Sequence, residues 1–145
     1  MNNTKKVINE LLVEVFHHIL SIEGQNLRER GVDLSMNEVH VLEAISKTQS
    51  PTMSNTAAKL RVTVGTLTTA INRLVLKGYV DRKRDKDDKR KVYVFLTQKA
   101  YKIMKTHDEF HEEMINAVIE DMNLEEDEIL LRSLTNISNF FKEKY

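Results

Sequence analysis

The fold is decided by residues 63–96, which read TVGTLTTAINRLVLKGYVDRKRDKDDKRKVYVFL. The first half places Leu67, Ile71 and Leu74 three or four residues apart, which predicts a helix with one buried face. Gly78 then stands where a glycine commonly ends a helix. The second half is β-branched and aromatic at its ends and charged between them, which predicts a β-hairpin. The stretch therefore predicts a helix followed directly by a hairpin with a charged tip.

Three more helices are predicted before this stretch. A long amphipathic helix covers about Thr4–Leu27, and Ser35 with Glu38 three residues later forms a capping box that opens a second helix. A short third helix covers Met53–Leu60. A tight turn separates it from the fourth helix, which Thr63 can cap.

Two long helices are predicted after the hairpin. Thr97 can cap a helix that extends to about Met122, and a last helix runs from about Glu125 to Phe141. The chain has one proline and four glycines, and this scarcity of helix breakers favours long helices. The predicted order is α-α-α-α-β-β-α-α. The fold class is mainly α with a small β-hairpin wing, a winged helix-turn-helix.

The composition excludes several classes of function. A chain of 145 residues suits a single domain or one subunit of an oligomer. The absence of cysteine excludes disulfides, thiol catalysis and cysteine-ligated metals. No apolar run reaches the roughly 20 residues that span a membrane, and no signal peptide is recognisable, so we expect a cytoplasmic protein without a membrane partner. No nucleophile elbow, P-loop or dinucleotide fingerprint occurs, so we expect no enzyme and no required cofactor.

The net charge of zero conceals a strong segregation of charge along the chain. Residues 52–105 hold 14 basic and 4 acidic side chains, a net charge of +10. Residues 106–131 hold 10 acidic side chains and no basic one. A basic middle segment is typical of a module that binds a polyanion, and the acidic segment is expected to face away from it.

The exposed side of the fourth helix is unusually rich in small hydrogen-bonding residues. Threonine is a mediocre helix former, and several on one short helix favour a binding role over a plain solvated face, which is the alternative. Threonine, asparagine and arginine can all contact base edges in the major groove. The predicted major-groove residues are Thr63, Thr66, Thr68, Thr69, Asn72 and Arg73.

The charged tip of the hairpin is the second predicted DNA contact. Its basic residues can reach phosphates or a narrow minor groove, and its aspartates can hold the arginines in place. The alternative is an ordinary solvated hairpin tip. The predicted contact residues of the wing are Arg84, Lys86, Lys89 and Arg90, with Asp88 as the organising carboxylate.

These segments resemble the MarR family of transcriptional regulators. Residues 62–74 and 77–82 resemble its recognition helix and first wing strand, and Asp88-Lys89-Arg90 resembles its wing signature, where the family often has arginine at the middle position. The resemblance implies one subunit over residues 1–145 and a DNA-binding lobe over 35–96. It also implies an intertwined homodimer that is held by 1–34 and 97–145 and binds a pseudopalindromic operator in double-stranded DNA. Arg90 would then be the minor-groove arginine.

Within the family, the resemblance is greatest to the FabT branch, the repressors of fatty-acid synthesis genes. It is carried by residues 19–23, 37–40 and 63–82. It implies long-chain acyl-acyl carrier protein as a co-repressor, with the acyl chain in an apolar tunnel. Apolar stripes at helical spacing are more commonly core than tunnel, so the residues leave the effector open.

A second possible effector is zinc. His107 and His111 are four residues apart and share one helical face, which is workable spacing for two metal ligands. Glu23 and His40 resemble the remaining ligands of a site in zinc-sensing MarR repressors. The alternative is a hydrogen-bonded polar cluster of structural importance. A small aromatic or drug-like ligand is the third effector that the family resemblance allows.

Overall fold

The computed structural model describes residues 2–120, 123 and 127–144, and its elements follow the predicted order. The helices and strands are α1 (Asn3–Glu29), α2 (Met36–Lys47), α3 (Met53–Leu60), α4 (Val64–Leu76), β1 (Val80–Arg84), β2 (Val92–Leu96), α5 (Gln98–Ile119) and α6 (Glu128–Lys144). The predicted helix ends at Met122 and Glu125 lie outside the described residues. The chain divides into two compact units, Met1–Met104 and Lys105–Tyr145.

Short-range capping bonds set where the helices of the first unit begin. The Ser35 hydroxyl accepts from the Glu38 amide while the Glu38 carboxylate accepts from the Ser35 amide, so the predicted capping box is confirmed. Thr52 and Thr63 cap α3 and α4 in the same way, through bonds to the amide three residues on. Each cap satisfies an amide that the first helical turn leaves without a partner.

The turn between α3 and α4 is tight because Arg61 adopts a left-handed backbone conformation, with φ of 57°. Such a conformation reverses the chain in very few residues. The Arg61 and Val62 amides bond back to carbonyls near the end of α3. The two helices of the helix-turn-helix are therefore joined by a short, hydrogen-bonded connection.

The first strand extends further than its sequence predicts, because the charged run Lys83–Lys91 predicts a loop that begins at Lys83. The two strands pair antiparallel from Val80 opposite Leu96 to Arg84 opposite Val92, so Lys83 and Arg84 belong to β1 and not to the tip. Their charged side chains remain exposed, which is why the sequence resembles a loop there. The Val94 amide also donates to the Pro51 carbonyl, which ties the middle of β2 to the segment just before α3.

One hydrophobic core holds the first unit together. It contains the inner faces of α2 and α4, with Leu42, Ile71 and Leu74 fully buried, and it extends to Val94 of the hairpin. The predicted inner face of α4 is confirmed by this burial. Because one core connects α4 and the hairpin, these two elements have a defined relative position.

A polar network surrounds Tyr79, which is 2% exposed. The Tyr79 hydroxyl donates to Asp33 at 2.6 Å, and this bond lowers the pKa of Asp33. Burial, together with the same carboxylate, raises the pKa of Tyr79. Lys77 pairs with Glu38 at 3.1 Å, and Lys99 lies over the Tyr79 ring, 4.3 Å from its centroid. The network joins the segment before α2 to the end of α4 and the start of α5.

The Glu38 carboxylate makes part of this network dependent on pH. Burial alone would raise the pKa of Glu38, but the bonds from Ser35 and Lys77 outweigh burial and lower it. A lowered pKa in the folded state means that this carboxylate stabilises the fold above its unfolded value of 4.5. That contribution is lost as the pH falls through the folded-state pKa.

Replacing Tyr79 with phenylalanine is expected to lower the free energy of unfolding by about 1–2 kcal/mol, because one hydrogen bond to a carboxylate is lost while the ring still packs. Urea unfolding followed by circular dichroism measures the change. Tyr101→Phe is the control, since Tyr101 is 55% exposed. An unchanged midpoint for Tyr79→Phe would contradict the stabilising role of the Tyr79–Asp33 bond.

Large apolar side chains remain exposed on three helices. On α1, Leu11 is 54% and Phe16 is 60% exposed, and on α6, Ile129 is 78% and Phe140 is 54% exposed. Ile115 and Val118 of α5 are also exposed. Several large apolar side chains exposed on one helix commonly mark an interaction site. None of the described helices combines the length and the apolar character needed to cross a membrane.

Candidate nucleic-acid interface

The first turn of α4 orders its own threonines. The Thr63 hydroxyl accepts from the Thr66 amide at 3.1 Å and donates to the Thr66 hydroxyl at 2.9 Å. Thr63 is therefore a cap as well as a predicted contact residue. The N-terminus of α4, where the helix dipole is positive, therefore lies beside an exposed pair of hydroxyl groups. This arrangement favours the binding of a phosphate.

The next two threonines use their hydroxyl protons inside the helix. Thr68 donates to the Val64 carbonyl at 2.8 Å, and Thr69 donates to the Gly65 carbonyl at 3.4 Å. Each hydroxyl oxygen keeps a free lone pair. Thr69 is exposed, and Thr68 is half-buried in the lining of a groove beside the hairpin. These residues therefore offer acceptors and methyl groups to DNA, which suit the amino groups of adenine and cytosine and the thymine methyl group.

Asn72 is held by a residue of the wing. Its Oδ1 accepts from Arg82 Nη1 at 2.6 Å, a bond between α4 and β1. Arg82 was not among the predicted contact residues. The sequence does hold a signal for Arg82. Side chains alternate between the two faces of a strand, so Arg82, two residues after the buried Val80, lies on the same face of β1 as Val80.

The wing tip is ordered around Asp88. Its Oδ1 accepts from the Arg90 amide at 3.1 Å and from Arg90 Nε at 3.2 Å. These bonds to Arg90 lower the pKa of Asp88. The Asp88 amide in turn donates to Asp85, and the Asp88 carbonyl accepts from the Lys91 amide. Arg90 is thus oriented by a carboxylate while its side chain stays 92% exposed.

A groove of about 480 Å³ separates the starts of α3 and α4 from the hairpin. Its lining combines hydroxyl and amide side chains with three cations: Ser50, Thr52, Met53, Ser54, Asn55, Val64, Thr68, Arg82, Arg90, Lys91, Val92 and Tyr93. Two helix N-termini open into it. Cations, hydroxyl groups and helix N-termini together make a site for the phosphates of a nucleic acid.

The other predicted contacts lie on two further surfaces. Thr66 and Arg73 line a cavity of about 450 Å³ on the α2 side of α4, together with His40. Arg84 and Lys86 border a depression of about 430 Å³ on the hairpin, beside Tyr93. Lys89 is exposed at the wing tip. The predicted contact residues therefore lie on several sides of α4 and the hairpin. Two of them, Thr68 and Arg90, line the groove between these elements.

Two of the predicted zinc ligands are brought together. The Nε2 atoms of His107 and His111 are 3.1 Å apart, close to the roughly 3.3 Å between two ligand nitrogens on one tetrahedral zinc ion. A hydrogen bond between neutral imidazoles fits the same distance. Glu23 is buried in α1, and His40 is half-buried in α2. The four-residue zinc shell stays a prediction.

Replacing Asp88 with alanine is expected to weaken DNA binding by about threefold to tenfold, because Arg90 must then be ordered during binding. Asp87→Ala is the matched control. It removes the same charge one residue earlier and is expected to leave DNA affinity unchanged or slightly raised, since a repulsive charge is lost. Fluorescence anisotropy of a labelled duplex measures both. Equal effects of the two variants would contradict the organising role of Asp88.

Known transcriptional regulators are similar to this chain in sequence. The sequence pattern of the SarA/Rot transcriptional regulators matches residues 26–107. The regulator SarZ of Staphylococcus haemolyticus is 31% identical over 112 residues, covering 75% of this chain and 74% of SarZ. The transcriptional regulator YhjH of Bacillus subtilis is 27% identical over 124 residues, covering 77% of this chain and 71% of YhjH.

Among solved structures, Streptococcus pneumoniae FabT in complex with DNA is similar over nearly its full length. The TM-score is 0.90 at 37% identity, covering 97% of this chain and 99% of the FabT chain. The Staphylococcus aureus MepR–DNA complex has a TM-score of 0.73 at 21% identity, a likeness of fold alone. The winged helix-turn-helix predicted from the sequence is confirmed.

Proposed function

Because this chain belongs to the MarR-type winged-helix transcriptional regulators, we propose that it represses fatty-acid biosynthesis genes as a homodimer, with long-chain acyl-acyl carrier protein as co-repressor. The family consists of DNA-binding regulators and not of enzymes. A repressor of this kind acts in the cytoplasm, where its operators are. The observation that carries the fatty-acid assignment is the likeness to FabT over nearly the whole chain.

The DNA-binding part of the proposal is supported by the groove between α3, α4 and the hairpin. It gathers Arg82, Arg90 and Lys91 beside two helix N-termini. The DNA-facing residues come from a helix that fits a major groove and from a wing that reaches the neighbouring backbone or minor groove. Two such lobes in a dimer would bind half-sites about one helical turn apart, roughly 34 Å.

The dimer is supported by the exposed apolar surface of α1, α5 and α6. Leu11, Phe16 and Phe140 are each more than half exposed. Covering such side chains removes apolar area from water, which stabilises an assembly by about 25 cal/mol per Å². A second copy offers the same faces and would cover them through a symmetric interface.

The test is a titration of a labelled promoter fragment from a fatty-acid synthesis gene, followed by anisotropy. We expect specific binding that becomes tighter when long-chain acyl-acyl carrier protein is added and does not change with the unacylated carrier. Specific binding without any response to acylation would keep the regulator and refute the co-repressor. Binding no tighter than to scrambled duplex would refute the fatty-acid regulon.

A small aromatic or drug-like effector is a second candidate, supported by the cavity beside α2. It has a volume of about 450 Å³ and combines Arg73 and His40 with the apolar Leu60 and Val62. A cation at an apolar wall suits an aromatic carboxylate. An aromatic acid that releases DNA from the wild type, and fails to do so with Leu60→Lys, would support this effector.

Zinc is a third candidate, supported by the spacing of His107 and His111. Adding zinc in a chelator-buffered solution tests it, with His111→Ala as the variant. A change in DNA affinity that His111→Ala abolishes would support zinc. An unchanged affinity across the zinc range would leave these histidines a structural pair.

A further inference from the structure

The Asn72 amide has one polar atom, Oδ1, that is hydrogen-bonded within the protein and one, Nδ2, that is not. Its Oδ1 accepts from Arg82 Nη1 at 2.6 Å, on the exposed side of α4. A guanidinium carries hydrogen-bond donors and no acceptor, so the amide atom that faces it is the oxygen and not the nitrogen. The contact therefore determines the orientation of the Asn72 amide, and its Nδ2 group points away with two free donors.

This orientation changes what Asn72 can recognise. Bidentate pairing with adenine needs the amide oxygen to accept from N6 while the amide nitrogen donates to N7. Here the oxygen already holds a charge-assisted bond, which is stronger than a bond to a neutral amino group. The oxygen keeps a second lone pair, but it is already engaged, whereas both Nδ2 donors are free. The side chain therefore favours a base edge that presents acceptors, and guanine presents both N7 and O6.

The position of Arg82 follows from the fold. Arg82 is opposite Val94 in the hairpin, and Val94 belongs to the core shared with α4. Arg82 also lines the same groove as Thr68, one helical turn before Asn72. The hairpin and the recognition helix are thus held together by the core, and the guanidinium bridges them on the side that faces the groove.

We infer that Arg82 is a positioning residue that holds Asn72 as a donor, so that α4 selects guanine over adenine at one base pair of each half-site. This inference deepens the proposed DNA-binding function and rests on it. It is independent of which genes are regulated and of which effector is used. The Asn72 amide contacts the base, and Arg82 acts through it.

The experiment selects duplexes from a random-sequence library with the full-length protein and three variants. The wild type is expected to select guanine at the Asn72 position, and Asn72→Ala is expected to lose the preference there. Arg82→Ala frees the amide oxygen, so the ratio of guanine to adenine is expected to fall by roughly tenfold, toward adenine. Lys83→Ala is the matched control, since it removes the same charge from the neighbouring exposed position of the same strand, on the opposite face from Arg82, and is expected to keep the wild-type consensus.

A second readout isolates the contacted atom. Replacing the selected guanine with 7-deazaguanine removes the N7 acceptor, and it is expected to weaken binding of the wild type but not of Asn72→Ala.

Arg82 is exposed, so Arg82→Ala is expected to fold, which circular dichroism verifies.

The outcomes separate the inference from the function on which it rests. A wild-type consensus that Arg82→Ala leaves unchanged would overturn the inference while the DNA-binding function stands. A wild-type preference for adenine at the Asn72 position would overturn it as well. Failure of the wild type to enrich any sequence would defeat the proposed function, and the inference with it.

Discussion

Replacing Leu11 with glutamate is expected to convert the dimer to a monomer and to weaken operator binding by more than about 100-fold, because the two lobes then bind as separate units. Leu11 is 54% exposed on the apolar face of α1. The change therefore removes no contact inside the core of the single chain. In the dimer it would place a charge in an apolar interface, which is costly without a partner. Light scattering coupled to gel filtration measures the mass.

Glu10→Lys is the control for this experiment. Glu10 is an exposed residue of the same helix, on the polar side opposite the apolar stripe, and the substitution also changes the charge. It is expected to leave the mass at that of a dimer. A dimer that persists in Leu11→Glu would show that α1 lies outside the interface and would contradict the dimer arrangement proposed for this chain.

Replacing Arg90 with alanine is expected to lower operator affinity by about 10-fold to 100-fold, because each dimer loses two oriented cations. Arg90 is 92% exposed and is held by Asp88, so it is available to DNA without rearrangement. If Arg90 contacts phosphate, the slope of log affinity against log salt falls by about two as well. The dimer mass is expected to be unchanged.

Arg90→Lys separates orientation from charge in the same assay. Lysine keeps the positive charge but lacks the planar group that bonds to Asp88. We expect an affinity between those of the wild type and Arg90→Ala. Wild-type affinity in Arg90→Ala would remove the wing tip from the interface and leave α4 as the recognition element.

The helices were predictable from the sequence because their signals are local. Ser35 and Glu38 are three residues apart, and the cap of α4 at Thr63 needs only the amide of Thr66. The apolar spacing in α4 predicts the buried side chains Leu67 and Ile71 for the same reason. A pattern within one helical turn needs no knowledge of the rest of the fold.

The contacts between elements were less predictable. Lys83 and Arg84 resemble a loop in composition, and only pairing with β2 places them in a strand. The bond from Arg82 to Asn72 joins residues 10 apart through the turn between helix and strand. Neither residue type has a strong preference for that partner. The Asp88–Arg90 contact was predictable because it is local and follows the resemblance of the wing signature.

The effector is the part of the function that depends least on local pattern. Three ligand classes are proposed from three different observations, namely the likeness to FabT, the cavity beside α2 and the histidine pair. An effector acts by its difference in affinity between two arrangements of the dimer. Such a difference is a property of two copies together and is encoded in no single stretch of the chain.

A dimer that binds DNA through two winged lobes is tested most directly by inserting base pairs at the centre of the selected operator. The quantity measured is the affinity of the protein for the altered operator. Five inserted base pairs turn one half-site by about half a helical turn, so one lobe faces away from its target. We expect this insertion to reduce the affinity to nearly that of a single half-site. An affinity that is unchanged by the insertion would contradict simultaneous binding of both half-sites by one dimer.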